Sequence, residues 1–354
     1  MKICILSYNH APYIGGIETY SNNLVKYFRT NKISYKLISG RLTGIKIIRI
    51  LEVIIRSYIK IPFNNYDIIH LTNINLWPVL LLNIFKGNKL TFVINLHGLE
   101  IVYGNRKKLS SRLYDFLMPY KYISNQDNIY FLCNSTQTLS LAKEKFISSK
   151  LNYIPMGVDK IINFDSNKKI NKKEIFYFGR IVKRKGLNWF CENILVRLNG
   201  AKLYFAGPIV DKEEFRKVNS HPQTEYLGII SEEEKVNRIQ GSLFTIIPNI
   251  IENENEDFEG FGISLIEVIA SGGLPIATKT QGIISSSLDG KIGITIEAND
   301  TDQWIDKIQE LNTKGLDYRN TLIIKSQNLV QENFIWNNIF SSTVKFYESI
   351  INKN

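Results

Sequence analysis

Glu259 and Glu267 enclose the stretch Glu259-Gly-Phe-Gly-Ile-Ser-Leu-Ile-Glu267, two carboxylates on either side of a glycine turn. Gly260 and Gly262 lack a Cβ, so the backbone there can approach a ligand closely. Ile263, Leu265, Ile266, Val268 and Ile269 read as a short buried helix ending at Gly272-Gly273. A helix that opens in a glycine loop presents unpaired N–H groups and a positive dipole end, which suits a phosphate. Carboxylates beside a phosphate would repel it unless they accept hydrogen bonds from hydroxyls. Upstream, Arg180 and Lys185 stand in a basic loop entering a helix, where both could reach one diphosphate. Taken alone, either charged pair is also consistent with solvated surface charge. Together they point to a phosphorylated, hydroxyl-rich ligand.

Such groups need a scaffold that gathers loops at one edge, and the chain alternates strand and helix. Residues 2–8 are a strand-like apolar run, followed by a polar loop, Gly15-Gly16 and a helical pattern over 17–28. That is the first unit of a nucleotide-binding fold, although the GxGxxG spacing is missing and bound NAD is not indicated. Strands follow at 34–39, 66–71, 90–96, 128–133 and 151–154, with a helix over 136–146. His97 sits just past a strand end, where open α/β sheets bind ligands. His10 is a weaker candidate, and His70 and His221 read as structural. A polar Lys/Asn-rich stretch, 160–173, reads as a linker.

The second half repeats the alternation, with strands at 174–178, 201–206, 224–227, 242–247, 274–278 and 292–296. Ser231 with Glu234 forms a helix-capping signature, and helices are expected at 187–195, 302–311 and 335–351. Two runs of alternation in 354 residues mean two parallel-sheet α/β domains. The expected boundaries are 1–165 and 172–334, with 335–354 a C-terminal helix packing back on the first domain.

The apolar content of 44% is that of a globular protein. Cys4, Cys133 and Cys191 lack metal or redox spacing and read as free thiols in a reducing compartment. Neither a signal peptide nor a transmembrane helix is evident. The net charge of +11 is lopsided: residues 1–160 carry 21 Lys/Arg against 8 Asp/Glu, and the remainder 23 against 25. A basic first half implies an anionic partner. Residues 44–61 form an amphipathic helix whose Lys46, Arg49, Glu52, Arg56, Ser57 and Lys60 share one arc. The expectation is that this helix packs on the sheet with its basic face solvated, contact with a membrane being the alternative. Residues 105–122, with Arg106, Lys107, Lys108, Arg112 and Lys121, read as a second patch for anionic lipid or as a solvated surface.

In order and spacing, these pieces resemble glycosyltransferase family 4, the retaining group with the two-domain GT-B fold. The resemblance runs through Gly15-Gly16-Ile-Glu18, Tyr66-Asp-Ile-Ile-His-Leu71, His97-Gly98, Tyr153-Ile-Pro-Met-Gly-Val-Asp159, Phe178-Gly-Arg180 to Lys185-Gly186, and the paired glutamates. Met156 departs from it, since the family usually has Asn there. The resemblance implies two Rossmann-like domains facing across a cleft, the first for the acceptor and the second for a nucleotide-sugar. It implies that Arg180 and Lys185 bind the diphosphate, Glu267 the ribose and Glu259 the transferred sugar. The N–H groups of Phe261, Gly262 and Ile263 would face sugar and phosphate, Gly15 and Gly16 would close over the donor, and His97 would lie near donor sugar and acceptor. No metal and no cofactor are expected, there being no Asp-x-Asp loop, and a uridine donor is favoured over a guanosine one. The activity expected is retaining transfer of a hexose-type unit to a saccharide acceptor, lipid-linked, in surface polysaccharide or glycolipid synthesis. The expected location is cytoplasmic and peripheral at the inner membrane face. A sugar-nucleotide epimerase of the same fold is the rival enzyme. A nucleic-acid-binding protein is the rival of another class, and no recognition motif supports it.

Overall fold

The computed structural model describes every residue except 9, 11–14, 41–43, 86, 88–89, 106–108, 147–149, 163, 165–167, 252–257 and 353–354. The chain divides into two compact units, one of residues 1–157 with 336–354, the other of residues 158–335.

The first unit holds six parallel strands: β1 (Lys2–Ser7), β2 (Ser34–Ser39), β3 (Ile68–Leu71), β4 (Phe92–Leu96), β5 (Ile129–Cys133) and β6 (Leu151–Tyr153). Their order is β2-β1-β3-β4-β5-β6. Strands covered on both faces are mostly apolar, and β3 and β4 are buried along their whole length with only His70 and Asn95 polar. Helix α1 (Gly16–Thr30) joins β1 to β2, and α2 (Lys46–Lys60) joins β2 to β3. A 3-10 turn, Ile74–Leu81, and helix α3 (Leu109–Leu117) lie in the later connections. Cys4, Cys133 and the second unit's Cys191 are buried free thiols, and burial pushes each up to about 12.

The second unit repeats the design with β7 (Asn171–Phe178), β8 (Lys202–Ala206), β9 (Thr224–Tyr226), β10 (Ser242–Ile247), β11 (Pro275–Thr278) and β12 (Ile294–Ile296). All are parallel, in the order β12-β11-β10-β7-β8-β9. Successive strands step outward on both sides of the β7/β10 pair, so the order reverses there. Ligands bind at such a reversal, beyond the carboxyl ends of the strands. Helix α4 (Ile263–Ala270) follows β10, and α5 (Thr301–Asn333) closes the unit. The last helix, α6 (Trp336–Ile351), belongs to the first unit, where Tyr20 of α1 meets Trp336 and Phe340 edge-on at 6.0 and 5.5 Å.

Three sequence expectations change. The helix expected at 302–311 is followed by a second helical stretch that runs to Asn333, the two meeting at Gly315, whose φ of 77° is non-helical. Beyond the kink, buried Arg319 donates to the carbonyls of Leu243 and Ser242 at 2.7 and 3.0 Å, tying the extension to β10. The stretch 160–173 is not a free linker. Ile162 donates to Ala270 O at 2.7 Å, Phe164 packs on the second core, and β7 begins at Asn171. Helix α2 presents the opposite face from the one expected. Arg49, Val53 and Ser57 are buried, while Ile47, Ile48, Leu51, Ile55 and Ile59 are exposed. The cause is local: Arg49 donates to Tyr8 O (3.2 Å) and Gly44 O (3.0 Å), and Arg56 to Ser39 O (2.6 Å). Carbonyls at the ends of β1 and β2 need donors, and the arginines turn inward to supply them.

Candidate functional site

The turn after β7 and the turn after β10 meet at the strand-order reversal, and glycines let them. Gly186 has φ 68°, and a Cβ there would fall 1.9 Å from Pro248 O. Gly262 has φ 76° and caps α4; its Cβ would fall 2.3 Å from Ile283 Cδ1. Gly262 brings no side-chain oxygen to the cap, so the amides of Ile263 and Ser264 have no capping side chain, while Leu265 N donates to Gly262 O at 3.0 Å.

Glu259 is the centre of this cluster. Its Oε2 accepts hydrogen bonds from Lys185 Nζ at 2.6 Å, Arg184 Nη1 at 2.7 Å and Asn249 Nδ2 at 3.3 Å. The side chains of Lys185, Glu259 and Arg184 are 14, 15 and 16% exposed, so the charges interact with little solvent screening. Burial alone would raise the Glu259 carboxyl, but Lys185 and Arg184 outweigh it and hold the group far below the usual carboxylate range. Burial and Arg184 push Lys185 down from its usual value, while Glu259 opposes them. Arg184, Asn249 and Glu259, with Ile250, Phe258, Thr280 and Gln281, line an open depression. The Glu259 carbonyl accepts from Gly282 N at 2.9 Å, which seats the loop on the following helix.

Arg180 is exposed one turn earlier, its carbonyl held by the Tyr177 hydroxyl at 2.9 Å. Phe261 is a core residue, edge-on to Phe334 at 5.6 Å, so only its backbone is left for a ligand. Glu267, one face further along α4, has different surroundings. Burial raises its carboxyl, Lys235 opposes the rise, and Lys235 itself pairs with Glu232 at 2.7 Å and lies over the Phe178 ring. The two glutamates therefore serve separate places: Glu259 a cationic nest, Glu267 the helix flank near the end of β7.

In the first unit, His97 follows β4. Its Nε2 lies 2.9 Å from Thr72 O, a carbonyl that can only accept, so that nitrogen carries the proton. Its backbone N–H donates to Glu100 Oε1 at 2.6 Å. A small cavity beside the ring is lined by Tyr20, Asn95, Asn134 and Met156, among others. Gly15 is extended and Gly16 has open space around it, so the chain's own packing does not demand glycine at 16. His10 pairs with Asn22, and His221 Nδ1 accepts from Gln223 N at 3.3 Å in a turn. His70 is fully buried against the Tyr347 hydroxyl of α6.

The sequence reading missed Arg184 and Asn249. Arg184 was visible only as the middle of a Lys-Arg-Lys run. Asn249 carried no signal beyond following Pro248 at a strand end. Among the described residues no cluster of His, Cys, Asp or Glu could hold a metal ion.

Residues 158–328 match the family model described as glycosyl transferases group 1. An uncharacterized glycosyltransferase of Methanocaldococcus jannaschii is 26% identical over 372 residues, covering 99% of each chain. Among solved structures, sucrose-phosphate synthase from Thermosynechococcus elongatus superposes with a TM-score of 0.78 at 15% identity, covering 100% of both chains. Anabaena HepE, in complex with UDP and glucose, gives 0.70 at 12% identity, covering 99% of this chain and 100% of that one. These likenesses give the fold, two Rossmann-like domains of the GT-B type. The family match and the relative support a glycosyltransferase.

Proposed function

We propose that this chain transfers a hexose-type sugar, with retention, from a nucleotide-sugar to a saccharide acceptor that is lipid-linked. The observation that carries the reading is Glu259 in its nest of Lys185 and Arg184 at the mouth of α4, inside the segment matched by the family model. An arriving diphosphate competes for the two cations, and Glu259, released from them, accepts hydrogen bonds from the sugar hydroxyls. Arg180 and the first amides of α4 complete the phosphate side, and Glu267 accepts from the ribose. In the transfer, the bond from the anomeric carbon to the phosphate oxygen breaks and its electron pair leaves with the nucleoside diphosphate. The acceptor hydroxyl bonds to the same face of that carbon, and its proton passes to the departing phosphate oxygen. The cations stabilise the charge that develops there. HepE was solved with UDP, which favours a uridine donor here.

Chromatography of products from a labelled nucleotide-sugar, with and without acceptor, tests the reaction. Acceptor-dependent product is expected; free isomerised sugar nucleotide without acceptor would instead show an epimerase.

A further inference from the structure

The first unit exposes more apolar side chain than a monomer's packing explains, and it does so on two helices of one sheet face. On α2, Ile47 is 65% exposed, Ile55 59% and Ile59 60%, with Ile48 and Leu51 completing the outward stripe. On α3, Leu109 is 83% and Phe116 85% exposed, with Leu113 and Leu117 on the same stripe at helical spacing. The β2-to-β3, β3-to-β4 and β4-to-β5 connections all step in one direction along the sheet. Right-handed crossovers therefore place α2, the Ile74–Leu81 turn and α3 on the same face. Direct contacts agree: the Tyr58 hydroxyl of α2 donates to Pro78 O at 2.8 Å, and the Tyr114 hydroxyl of α3 to Asn75 Oδ1 at 2.9 Å. Both helices flank that one turn, and Ile84 and Phe85 beyond it are also exposed.

We infer that this face inserts into the headgroup region of an anionic phospholipid bilayer, with the apolar stripes of α2 and α3 entering it. Charge names the occupant. Glu52 of α2 is paired with Arg56 and Asp115 of α3 with Lys145, while Arg112 and Lys121 stand exposed beside the stripe. Residues 1–160 carry an excess of 13 positive charges, so a second copy docking there would bring two like-charged surfaces together. An apolar helix face bordered by cations fits the boundary between headgroups and acyl chains. The contact is made by the isoleucines and not by Arg49 and Arg56, which carbonyls of the first unit occupy. The inference deepens the lipid-linked acceptor reading and rests on it for its purpose, although bilayer binding itself requires no transfer.

The test is flotation with vesicles of phosphatidylcholine alone and with added phosphatidylglycerol, at low salt and at about 0.5 M salt, where surface attraction is screened. Wild type is compared with the triple variant Ile47→Gln, Leu51→Gln, Ile55→Gln and with Leu113→Gln, Phe116→Gln. Wild type should float with the anionic vesicles and keep part of its binding at high salt. Each variant should lose binding tenfold or more while its melting temperature and its stabilisation by nucleotide-sugar stay unchanged. Flotation undiminished in both variants, or no flotation of wild type at low salt, would overturn the inference. So would a concentration-dependent dimer in light scattering that the variants dissolve. Failure of the transferase reading would look different, as flotation without stabilisation by any nucleotide-sugar.

Discussion

Glu259→Gln separates the two jobs assigned to the nest. The substitution keeps the shape and one acceptor oxygen but removes the negative charge between Lys185 and Arg184. Two charge-assisted hydrogen bonds at 2.6 and 2.7 Å become neutral-acceptor bonds, and two neighbouring cations lose their counter-charge. Each such bond is worth about 1.5–3 kcal/mol, and an amide recovers part of it, so the net loss should be about 2–3 kcal/mol. In a unit of this size that lowers the melting temperature by about 5–10 °C. The second unit should still fold. Free nucleoside diphosphate should bind at least as tightly as to wild type, since the two cations no longer have to leave a carboxylate. Turnover should fall about a hundredfold or more, because the sugar hydroxyls lose their charged acceptor. Titration calorimetry with nucleoside diphosphate, beside steady-state kinetics, reads both. Diphosphate affinity falling in step with turnover would refute the exchange of partners, and unchanged turnover would remove Glu259 from the site.

Other perturbations follow from the same geometry. Gly186→Ala should destabilise the second unit by more than about 1 kcal/mol, because it combines a left-handed backbone with a clash on Pro248 O; thermal melting checks it. Glu267→Ala should weaken the nucleotide-sugar and the free nucleoside diphosphate alike, because the ribose is common to both, whereas Glu259→Gln should spare the diphosphate; a calorimetric comparison distinguishes them. Burial, with His97 nearby, pushes His70 down to about 3 in the folded chain. The unfolded chain therefore binds the proton first, and stability present above about pH 6.5 is lost as pH falls toward 3. This one group should cost about 2–3 kcal/mol between pH 6.5 and 4.5. His70→Gln should flatten that part of the melting-temperature profile, and an unchanged slope would contradict the assignment.

Much of the scaffold was legible because a parallel strand buried on both faces is mostly apolar along its length, as Ser242–Ile247 shows at its expected bounds. The outward face of α2 was not legible. Periodicity separates its isoleucines from its arginines, but it does not reveal that the carbonyls of Tyr8 and Ser39 lie within reach of Arg49 and Arg56. The candidate site was readable as residue types and not as partnerships. Lys185 and Glu259 are 74 positions apart, and their ion pair depends on β7 and β10 being neighbours. The glycines at 186 and 262 were readable as turns, while the atoms that forbid a side chain there are not neighbours in sequence.

Lys185, Glu259 and the start of α4 are proposed to bind a nucleotide-sugar. Thermal shift of wild type and Lys185→Ala against a panel of nucleotide-sugars addresses it directly. A ligand at about 100 times its dissociation constant adds about 2.7 kcal/mol, a rise of several degrees. That rise is expected for at least one nucleotide-sugar in wild type, and its loss in Lys185→Ala at the same concentration. Stabilisation by none of the panel, or an equal rise in the variant, would contradict it.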